Sequence, residues 1–279
     1  MTGFDYLGLD DFILASLRED IGTGDVTTNC CVQECAVSVG FFRVKEPGVI
    51  CGLGVARRVF ELLDRSVILN PLVSDGDNVA SGDIVAEIAG SSRSILTGER
   101  TALNLLQHMS GVATRTAEAV KLVSGTNTVI VDTRKTMPGL RVLDKYAVRC
   151  GGGSNHRLNL SDGVLIKDNH ISAAGGIMNA VALARSNCPL TLKIEVETET
   201  IAQVEEALAA GADIIMLDNM PPEAMADAVK IIAGRALTEA SGNMGERDLI
   251  IVADTGVDFI SIGALTHSTK ALDISLKFK

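Results

Sequence analysis

The sequence predicts an α/β fold, with a barrel of parallel strands and helices over the C-terminal two-thirds and a smaller α+β domain before it. Short apolar runs alternate there with helical patterns, which is typical of a parallel sheet with crossover helices. Nearly every run ends in a reactive or anion-binding residue. The composition is 47% hydrophobic but only 3% aromatic, with no tryptophan, so aliphatic side chains must build the core, as in buried parallel strands.

The first third of the chain predicts the smaller domain. A helix is expected over Asp10–Asp20, ending at the glycines of Gly22-Thr23-Gly24. Short β-like runs follow at 37–45, 48–51 and 84–88.

A long, mostly helical segment from Arg93 to Val123 then leads into the barrel, and Gly98 and Gly111 predict possible breaks in it. We assign residues 1–110 to an N-terminal domain that includes the start of this bridge. Residues 111–279 form the barrel domain, whose C-terminal tail could return to the N-terminal domain.

The barrel strands are predicted from six apolar runs, with helices between them over 139–149, 173–186, 201–210 and 222–234. Polar residues follow strand after strand, and in a closed barrel these strand ends converge on one mouth. An open sheet would focus ligand contacts at one switch point instead. Six clear strands therefore predict an incomplete barrel: Thr128–Asp132, Gly163–Ile166, Leu192–Val196, Asp213–Leu217, Leu237–Ala240 and Phe259–Ile262.

The charge distribution points to a small anionic ligand. The net charge of −10 argues against general nucleic-acid binding, which requires a basic surface. Between Val131 and His170, however, seven Lys/Arg outnumber four Asp, which gives +3 there and −13 elsewhere. A basic island in an acidic chain favours a small anion over a polymer.

The N-terminal stretch is acidic and lacks the features of a secretory signal. No apolar run approaches the ~18 residues that span a bilayer. We therefore expect a cytoplasmic protein without a membrane partner. The six cysteines lack metal-ligand spacing and are expected to be reduced, mostly small core residues.

Two neighbouring motifs carry the basic island. Arg134 and Lys135 end the first barrel strand, where a planar guanidinium and an ammonium suit a phosphate or carboxylate; a solvated basic loop is the alternative. The glycines of Gly151–Gly153 let backbone N–H groups approach an anion closely, and His156 and Arg157 add side-chain hydrogen-bond donors.

Later strand ends carry a lysine and several carboxylates. Lys167 could pair with a phosphate, form a Schiff base or make a structural salt bridge. Glu195 and Glu197 leave the same face of one strand. Glu197 and Asp218 could hold ribose hydroxyls, bind Mg²⁺ or stabilise an oxocarbenium-like centre; an ion pair with Lys167 or Lys135 is the structural alternative.

Glycines stand at the last two strand ends, in Ser241-Gly242 and at Gly263. This is the position where barrels commonly hold a phosphate with backbone amides.

Taken in order, these segments closely resemble the quinolinate phosphoribosyltransferase family, also called nicotinate-nucleotide pyrophosphorylase (carboxylating). The resemblance covers essentially the whole chain. Its matching stretches are Glu19–Thr28, Thr97–Asn104, Asp132–Thr136, Lys145–Gly153, Asn155–Arg157, Leu165–His170, Ile194–Glu197, Met216–Asn219, Glu239–Gly242 and Ser261–His267.

The resemblance implies an incomplete, about seven-stranded α/β barrel with an N-terminal α/β sandwich domain. It implies transfer of phosphoribose from phosphoribosyl pyrophosphate to quinolinate with decarboxylation, giving nicotinate mononucleotide, pyrophosphate and CO₂ in de novo NAD biosynthesis. It also implies a homodimer whose partner subunit supplies one arginine to each site.

The same resemblance assigns roles to residues. Quinolinate would be held by Arg100 from the partner subunit together with Arg134, His156, Arg157 and Lys167. Phosphoribosyl pyrophosphate would be held by Lys135, Glu197, Asp218, Ser241, Gly242 and Gly263, with Mg²⁺ at Glu197 and Asp218, directly or through water. The catalytic set would be Lys135, Lys167, Glu197 and Asp218.

One departure concerns the phosphate loop, where Asn243 replaces a further glycine of many relatives. Three alternatives remain at this stage. They are a related pyrophosphorylase-like protein of molybdenum metabolism, a Schiff-base aldolase that uses Lys167, and a non-catalytic metabolite-binding module, which would leave Glu197 and Asp218 unexplained.

Overall fold

The computed structural model describes residues 8–279. Within them the helices are α1 (Leu9–Ile21), α2 (Val26–Cys31), α3 (Leu53–Leu63), α4 (Ser92–Leu122), α5 (Arg141–Cys150), α6 (Asp168–Ala174), α7 (Ile177–Asn187), α8 (Ile201–Ala209), α9 (Pro222–Ile232), α10 (Leu249–Ala253) and α11 (Ala264–His267). The strands are β1 (Val37–Val44), β2 (Gly48–Val49), β3 (Ile68–Pro71), β4 (Asn78–Val79), β5 (Ile84–Ser91), β6 (Val129–Val131), β7 (Val164–Ile166), β8 (Ile194–Thr198), β9 (Ile214–Asp218), β10 (Leu237–Ser241), β11 (Phe259–Ser261) and β12 (Ile274–Phe278).

The chain divides into two compact units, and neither is continuous in sequence. The first comprises Met1–Ala117, described from Gly8 onward, with Pro138–Gly152 and Thr269–Lys279. The second comprises Glu118–Met137 and Gly153–Ser268.

An antiparallel sheet with the strand order β12-β1-β5-β3 forms the centre of the first unit. The helix α3 buries Val55, Val59 and Phe60 on one face, and the Phe60 ring meets Phe42 of β1 edge-on at 6.4 Å. Burial of these aromatic and β-branched side chains is the main source of stability for such a layer. The strands β3 and β12 and the helix α3 were not predicted from the sequence.

The predicted breaks in the bridging helix are wrong, because α4 runs without interruption past both glycines. A Cβ at Gly111 would collide with the carbonyl oxygen of Lys270, and one at Gly98 would lie 3.0 Å from the Phe60 ring. Both glycines therefore allow close packing of neighbouring segments inside the first unit, which offsets their low helix propensity.

The second unit contains a six-stranded, wholly parallel sheet with the order β6-β11-β10-β9-β8-β7. This confirms the predicted α/β class and the six predicted strands. Beyond β6, a single parallel bridge joins Val131 to Ser154, with the Ser154 amide 2.9 Å from the Ile130 carbonyl. The seventh strand implied by the resemblance is therefore reduced to one bridging residue, and β6 and β7 form the edges of the described sheet.

The register of this sheet decides which side chains share its inner face. Glu197 lies beside Met216, and Met216 lies beside Glu239. Because successive side chains alternate between faces, Val196 and Ile215 point the other way and are fully buried. The inner face thus carries polar groups at its carboxyl end, and the outer face is apolar.

One crossover differs from the prediction of a continuous helix over 173–186. The helix α6 ends at Ala174, Gly175 and Gly176 have φ values of 79° and 125°, and α7 begins at Ile177. Such left-handed conformations cost little for glycine and end a helix.

The cysteine prediction is also wrong in part. All six are free thiols as expected, but only Cys51 is buried; Cys30, Cys31 and Cys35 are exposed. Among the described residues, no helix combines the length and the apolar character that crossing a bilayer requires.

Candidate active site

A cavity of about 510 Å³ lies at the carboxyl ends of the parallel strands in the second unit. This cavity is lined by most of the site residues predicted from the sequence: Arg134, Lys135, His156, Arg157, Lys167, Glu197, Asp218, Ser241 and Gly242. Five of these side chains can carry positive charge, whereas the carboxylates of the lining are Glu197, Asp218 and Glu239. A cavity with this balance attracts anionic ligands.

The two remaining predicted residues lie elsewhere. Gly263 is next to the lining, since a Cβ added there would be 3.0 Å from Cδ of Lys135. Arg100 belongs to the first unit, on α4, where its side chain is exposed, and it does not line this cavity.

The loop after β6 is held by contacts within the second unit. The hydroxyl of Thr266 donates to the carbonyl oxygen of Lys135 at 2.8 Å, and the Lys135 amide donates to the hydroxyl of Thr133 at 3.0 Å. These bonds fix the backbone that carries Arg134 and Lys135 at the cavity wall.

Asp132 connects this strand end to the segment that carries His156 and Arg157. Its carboxylate is fully buried and accepts from the His156 amide at 2.9 Å and from the side-chain amide of Asn155 at 2.6 Å. A buried carboxylate needs such donors, and together they set the position of the following cationic residues.

His156 forms a buried cluster with two carboxylates, which we call the inner cluster (His156, Glu195 and Glu239). Its Nε2 lies 3.0 Å from Glu195 Oε2 and 3.3 Å from Glu239 Oε2. Burial lowers the pKa of His156, but the hydrogen bonds to both carboxylates outweigh this effect and raise the pKa to about 10. Burial also disfavours the charged form of Glu195 and raises the pKa of its carboxyl group.

A second contact acts on the same imidazole in the opposite direction. The backbone N–H of Arg157 donates to His156 Nδ1 at 2.8 Å, which favours a neutral ring with its proton on Nε2. In both protonation states Nε2–H is the group that faces the carboxylates.

The guanidinium of Arg157 donates to the carbonyl oxygen of Gly163 at 3.2 Å. Burial and the nearby Arg134 lower the pKa of Arg157 from its ordinary value. A guanidinium remains charged even so, and two adjacent, half-buried cations would be stabilised by an anion between them.

Also in the cavity wall, the ammonium of Lys167 forms an ion pair with the carboxylate of Glu197, which we call the mouth pair. The Lys167 side chain is 44% exposed and that of Glu197 is 13% exposed. Lys167 is fixed at the start of α6, where its amide donates to Nδ1 of His170 at 2.9 Å. The predicted alternative of a Lys167–Glu197 ion pair is therefore present, at the cavity wall.

Asp218, Asn219 and Gly242 form an interlocked rim. The side-chain NH₂ of Asn219 donates to Asp218 Oδ2 at 2.8 Å. The backbone N–H of Asn219 donates to the carbonyl oxygen of Ser241 at 3.0 Å. Gly242 has φ +93°, and a Cβ there would collide with Asn219, so only glycine fits this approach. Asn243, which follows, is exposed with φ 55°.

Sequence reasoning assigned no role to Glu239, Asp132 or Asn219, which the structure places in or behind the cavity wall. Glu239 was detectable, because an acidic residue in the apolar run 237–240 is costly unless it has a partner. Its partner could not be identified, since His156 is distant in sequence.

A cavity of this kind, at the carboxyl ends of parallel strands with clustered cations facing carboxylates, defines the protein as an α/β-barrel enzyme for anionic substrates. Comparison with known proteins specifies the class further. Residues 25–110 match the family model of the quinolinate phosphoribosyl transferase N-terminal domain, and residues 112–277 match that of the C-terminal domain. The chain therefore belongs to the quinolinate phosphoribosyltransferase family.

Individual relatives agree with this assignment. The probable nicotinate-nucleotide pyrophosphorylase (carboxylating) of Bacillus subtilis is 46% identical, over 92% of this chain and 89% of the relative. The corresponding Synechocystis protein is 47% identical, over 96% and 92%. The crystal structure of NadC from Streptococcus pyogenes superposes with a TM-score of 0.92 at 46% identity, covering 99% of this chain and 100% of that one.

Proposed function

We propose that this cavity transfers phosphoribose from phosphoribosyl pyrophosphate to quinolinate and releases CO₂, giving nicotinate mononucleotide and pyrophosphate for de novo NAD biosynthesis. The observation that carries the proposal is the convergence of Arg134, Lys135, Arg157 and Lys167 on one cavity that also holds Glu197 and Asp218. Two carboxylates, a phosphate and a pyrophosphate need this many cations to share one space.

Quinolinate fits the part of the cavity around Arg134, His156, Arg157 and Lys167. Its two carboxylates would accept from the guanidinium groups and from the Lys167 ammonium. This placement brings the pyridine nitrogen towards Glu197 and Asp218, where the ribose would lie. Arg100 of the partner subunit in a homodimer would add the remaining cation.

Phosphoribosyl pyrophosphate fits the rim on the other side. Lys135 would pair with its phosphates, and the backbone amides around Ser241, Gly242 and Gly263 would hold the 5′-phosphate. The collision that a side chain at Gly242 would suffer supports a rim that presents backbone there.

Mg²⁺ fits the carboxylates of Glu197 and Asp218, which end neighbouring strands and face the same cavity. Oxygen ligands from one or two carboxylates plus substrate phosphates are the usual magnesium environment. When bound, the ion would neutralise charge on the departing pyrophosphate.

Most of the rate acceleration would come from orientation and electrostatics. The bond from ribose C1 to the pyrophosphate oxygen breaks, and Glu197 and Asp218 stabilise the positive charge that develops at C1. The pyridine nitrogen then forms its bond to C1. The C2 carboxylate leaves as CO₂, since the cationic ring stabilises the electron pair left at C2, which then takes up a proton.

An aldolase that uses Lys167 is less well supported. A Schiff base requires a neutral amine, and the Lys167 ammonium is paired with Glu197. Borohydride reduction in the presence of a sugar phosphate should therefore leave the mass of the protein unchanged.

The decisive assay measures CO₂ from carboxyl-labelled quinolinate with phosphoribosyl pyrophosphate, Mg²⁺ and the purified protein. We expect release that depends on phosphoribosyl pyrophosphate, with nicotinate mononucleotide in equal amount. Parallel reactions without Mg²⁺ test the metal requirement. Folded protein that releases no CO₂ under these conditions would assign the cavity to another anionic substrate.

A further inference from the structure

Two thiols from distant parts of the sequence face each other inside the first unit. Cys51 lies between β2 and α3, and Cys150 is the last residue of α5. Their sulfur atoms and a carboxylate oxygen of Asp75 all lie within 4.8 Å of one another. Neither thiol belongs to the cavity of the second unit, and the proposed function leaves both unexplained.

The acid beside the two thiols is already occupied by other donors. Asp75 Oδ1 accepts from the amides of Gly52 and Leu53 at 3.0 and 3.1 Å, where α3 begins. Its Oδ2 accepts from the hydroxyl of Tyr146 at 2.9 Å. Asp75 therefore holds the backbone on the Cys51 side and the α5 side chain Tyr146 in fixed positions, which keeps the two thiols close together.

The two cysteines differ in the way that a reacting pair requires. Cys51 is fully buried, and burial together with the Cys150 contact raises the pKa of its thiol. Cys150 is partly exposed, and the hydrogen bond from Cys51 lowers the pKa of its thiol, against the opposing effects of burial and of the Asp75 carboxylate. An accessible thiol of lowered pKa attacks peroxides, and a neighbouring thiol within reach resolves the sulfenic acid once it gives up its proton.

We propose that Cys51 and Cys150 form an oxidation site that converts reversibly to a disulfide on reaction with a hydroperoxide. The Cys150 thiolate attacks the peroxide, so that an S–O bond forms, the O–O bond breaks and an alcohol or water leaves. The Cys51 sulfur then attacks the Cys150 sulfur and gives its proton to the departing oxygen, so that the S–S bond forms, the S–O bond breaks and water leaves. Two thiols lose two electrons, and the peroxide gains them.

A metal ion would fit Cys51, Asp75 and Cys150 less well than a disulfide between the two cysteines. Structural zinc sites take four ligands, and the group that the described residues form here has only three, one of which already accepts three hydrogen bonds. A disulfide needs only the two sulfur atoms and a local rotation of their side chains.

The test uses the full-length protein in a background where the other cysteines are replaced by serine, namely Cys30, Cys31, Cys35 and Cys188. The protein is treated with hydrogen peroxide, denatured and alkylated, and its mass is measured by mass spectrometry. The bridge is then located by peptide mapping without reduction. We expect alkylation at neither remaining cysteine, a Cys51–Cys150 crosslinked peptide and full recovery of both thiols with dithiothreitol. Wild-type protein treated with peroxide and mapped in the same way should give the same crosslinked peptide, which shows that the serine background does not create the result.

Single variants separate the two roles. In Cys51→Ser, or in Cys51→Ala if serine prevents folding, peroxide should carry Cys150 on to sulfinic acid. In Cys150→Ser, the buried Cys51 should stay unmodified. Because a bridge that closes so long a loop restricts the unfolded chain, the oxidised protein should also melt about 5 °C or more above the reduced one.

Three results would each overturn the proposal. They are two alkylated thiols after peroxide treatment, a Cys150 oxygen adduct beside an alkylated Cys51, and a bridge between two separate chains. Incubation with Zn²⁺ alone completes the experiment, since one tightly held ion per chain that protects both thiols would assign the pair to a metal instead.

Discussion

Glu195 and Glu197 lie two residues apart on β8 and face the same side of the sheet, yet their surroundings differ. Glu197 belongs to the mouth pair, at the cavity wall with the half-exposed Lys167. Glu195 belongs to the inner cluster, where its side chain is 5% exposed against His156. Because the mouth pair is partly exposed, either of its residues can exchange the other for a substrate at little cost in free energy. The buried Glu195, by contrast, must keep its partner His156.

Two carboxylates on one strand thus have different functions, depending on how far each lies from the strand end. A carboxylate at the strand end is available for chemistry, and one a single layer below fixes the donor that contacts the ligand.

The largest effect is expected from the mouth pair. Glu197→Gln removes the charge that would stabilise the developing positive charge at ribose C1, so kcat/KM should fall by about a thousandfold, with little change in Tm. Steady-state kinetics and thermal unfolding of the same preparation measure both values. Glu197→Asp is the matched control, because it keeps the negative charge at the cavity wall and should retain more activity than Glu197→Gln. A fall in Tm that parallels the loss of activity would give the mouth pair a structural role.

A somewhat smaller effect is expected at the arginines. Arg157→Ala and Arg100→Ala should each lower kcat/KM by at least roughly a hundredfold through loss of charge-assisted contacts to quinolinate. In mixed dimers of these two inactive variants, one site per dimer regains both arginines, so partial activity should return. Confirmed mixed dimers that stay inactive would remove Arg100 from the site of its neighbour.

The inner cluster predicts a pH dependence of stability. The folded-state pKa of His156, about 10, exceeds its ordinary value of 6.5. The protonated ring therefore stabilises the fold fully below about pH 6.5, and this contribution is lost as the pH rises through about 10. Urea unfolding should give a falling free energy of unfolding over this window.

Glu239→Gln sharpens the same prediction. Removing one of the two carboxylates should lower the pKa of His156, which moves the loss of stability to lower pH. Nuclear magnetic resonance of the imidazole nitrogens follows the ring directly. A ring that is neutral at pH 7 in the wild-type protein would mean that the Arg157 N–H contact outweighs the carboxylates.

The smallest effect is expected at the rim. Asn243 has φ 55° and is exposed, so Asn243→Gly should change the free energy of unfolding by about 1 kcal/mol or less. The KM for phosphoribosyl pyrophosphate should change by less than about threefold, because the backbone already adopts the conformation that a glycine would take. A larger change in KM would show that the Asn243 side chain contacts the phosphate.

The sequence predicted the strands of the second unit well, because each is a short run of β-branched and aliphatic residues followed by a polar group. It predicted α4 less well, since Gly98 and Gly111 are helix breakers in isolation and close-packing residues in this fold. Their effect depends on Phe60 and Lys270, which are remote in sequence.

The same limit applies to the site. Strand ends are visible locally, so Arg134, Lys167 and Glu197 could be placed at one mouth. The inner cluster could not be predicted from the sequence. Glu195 and Glu239 come from strands separated by β9, and they meet His156 only through the sheet register. The Cys51–Cys150 contact is non-local in the same way.

The pairing of β12 with β1 has a consequence for synthesis. Phe278 lies beside Gly40, and Ile274 lies beside Val44, so one edge of the first sheet is built from residues that follow the whole second unit in the chain. The N-terminal segment must therefore wait, with that strand edge exposed, while the whole second unit is made and can fold. A chaperone that covers this strand edge during the interval should therefore raise the yield of active protein.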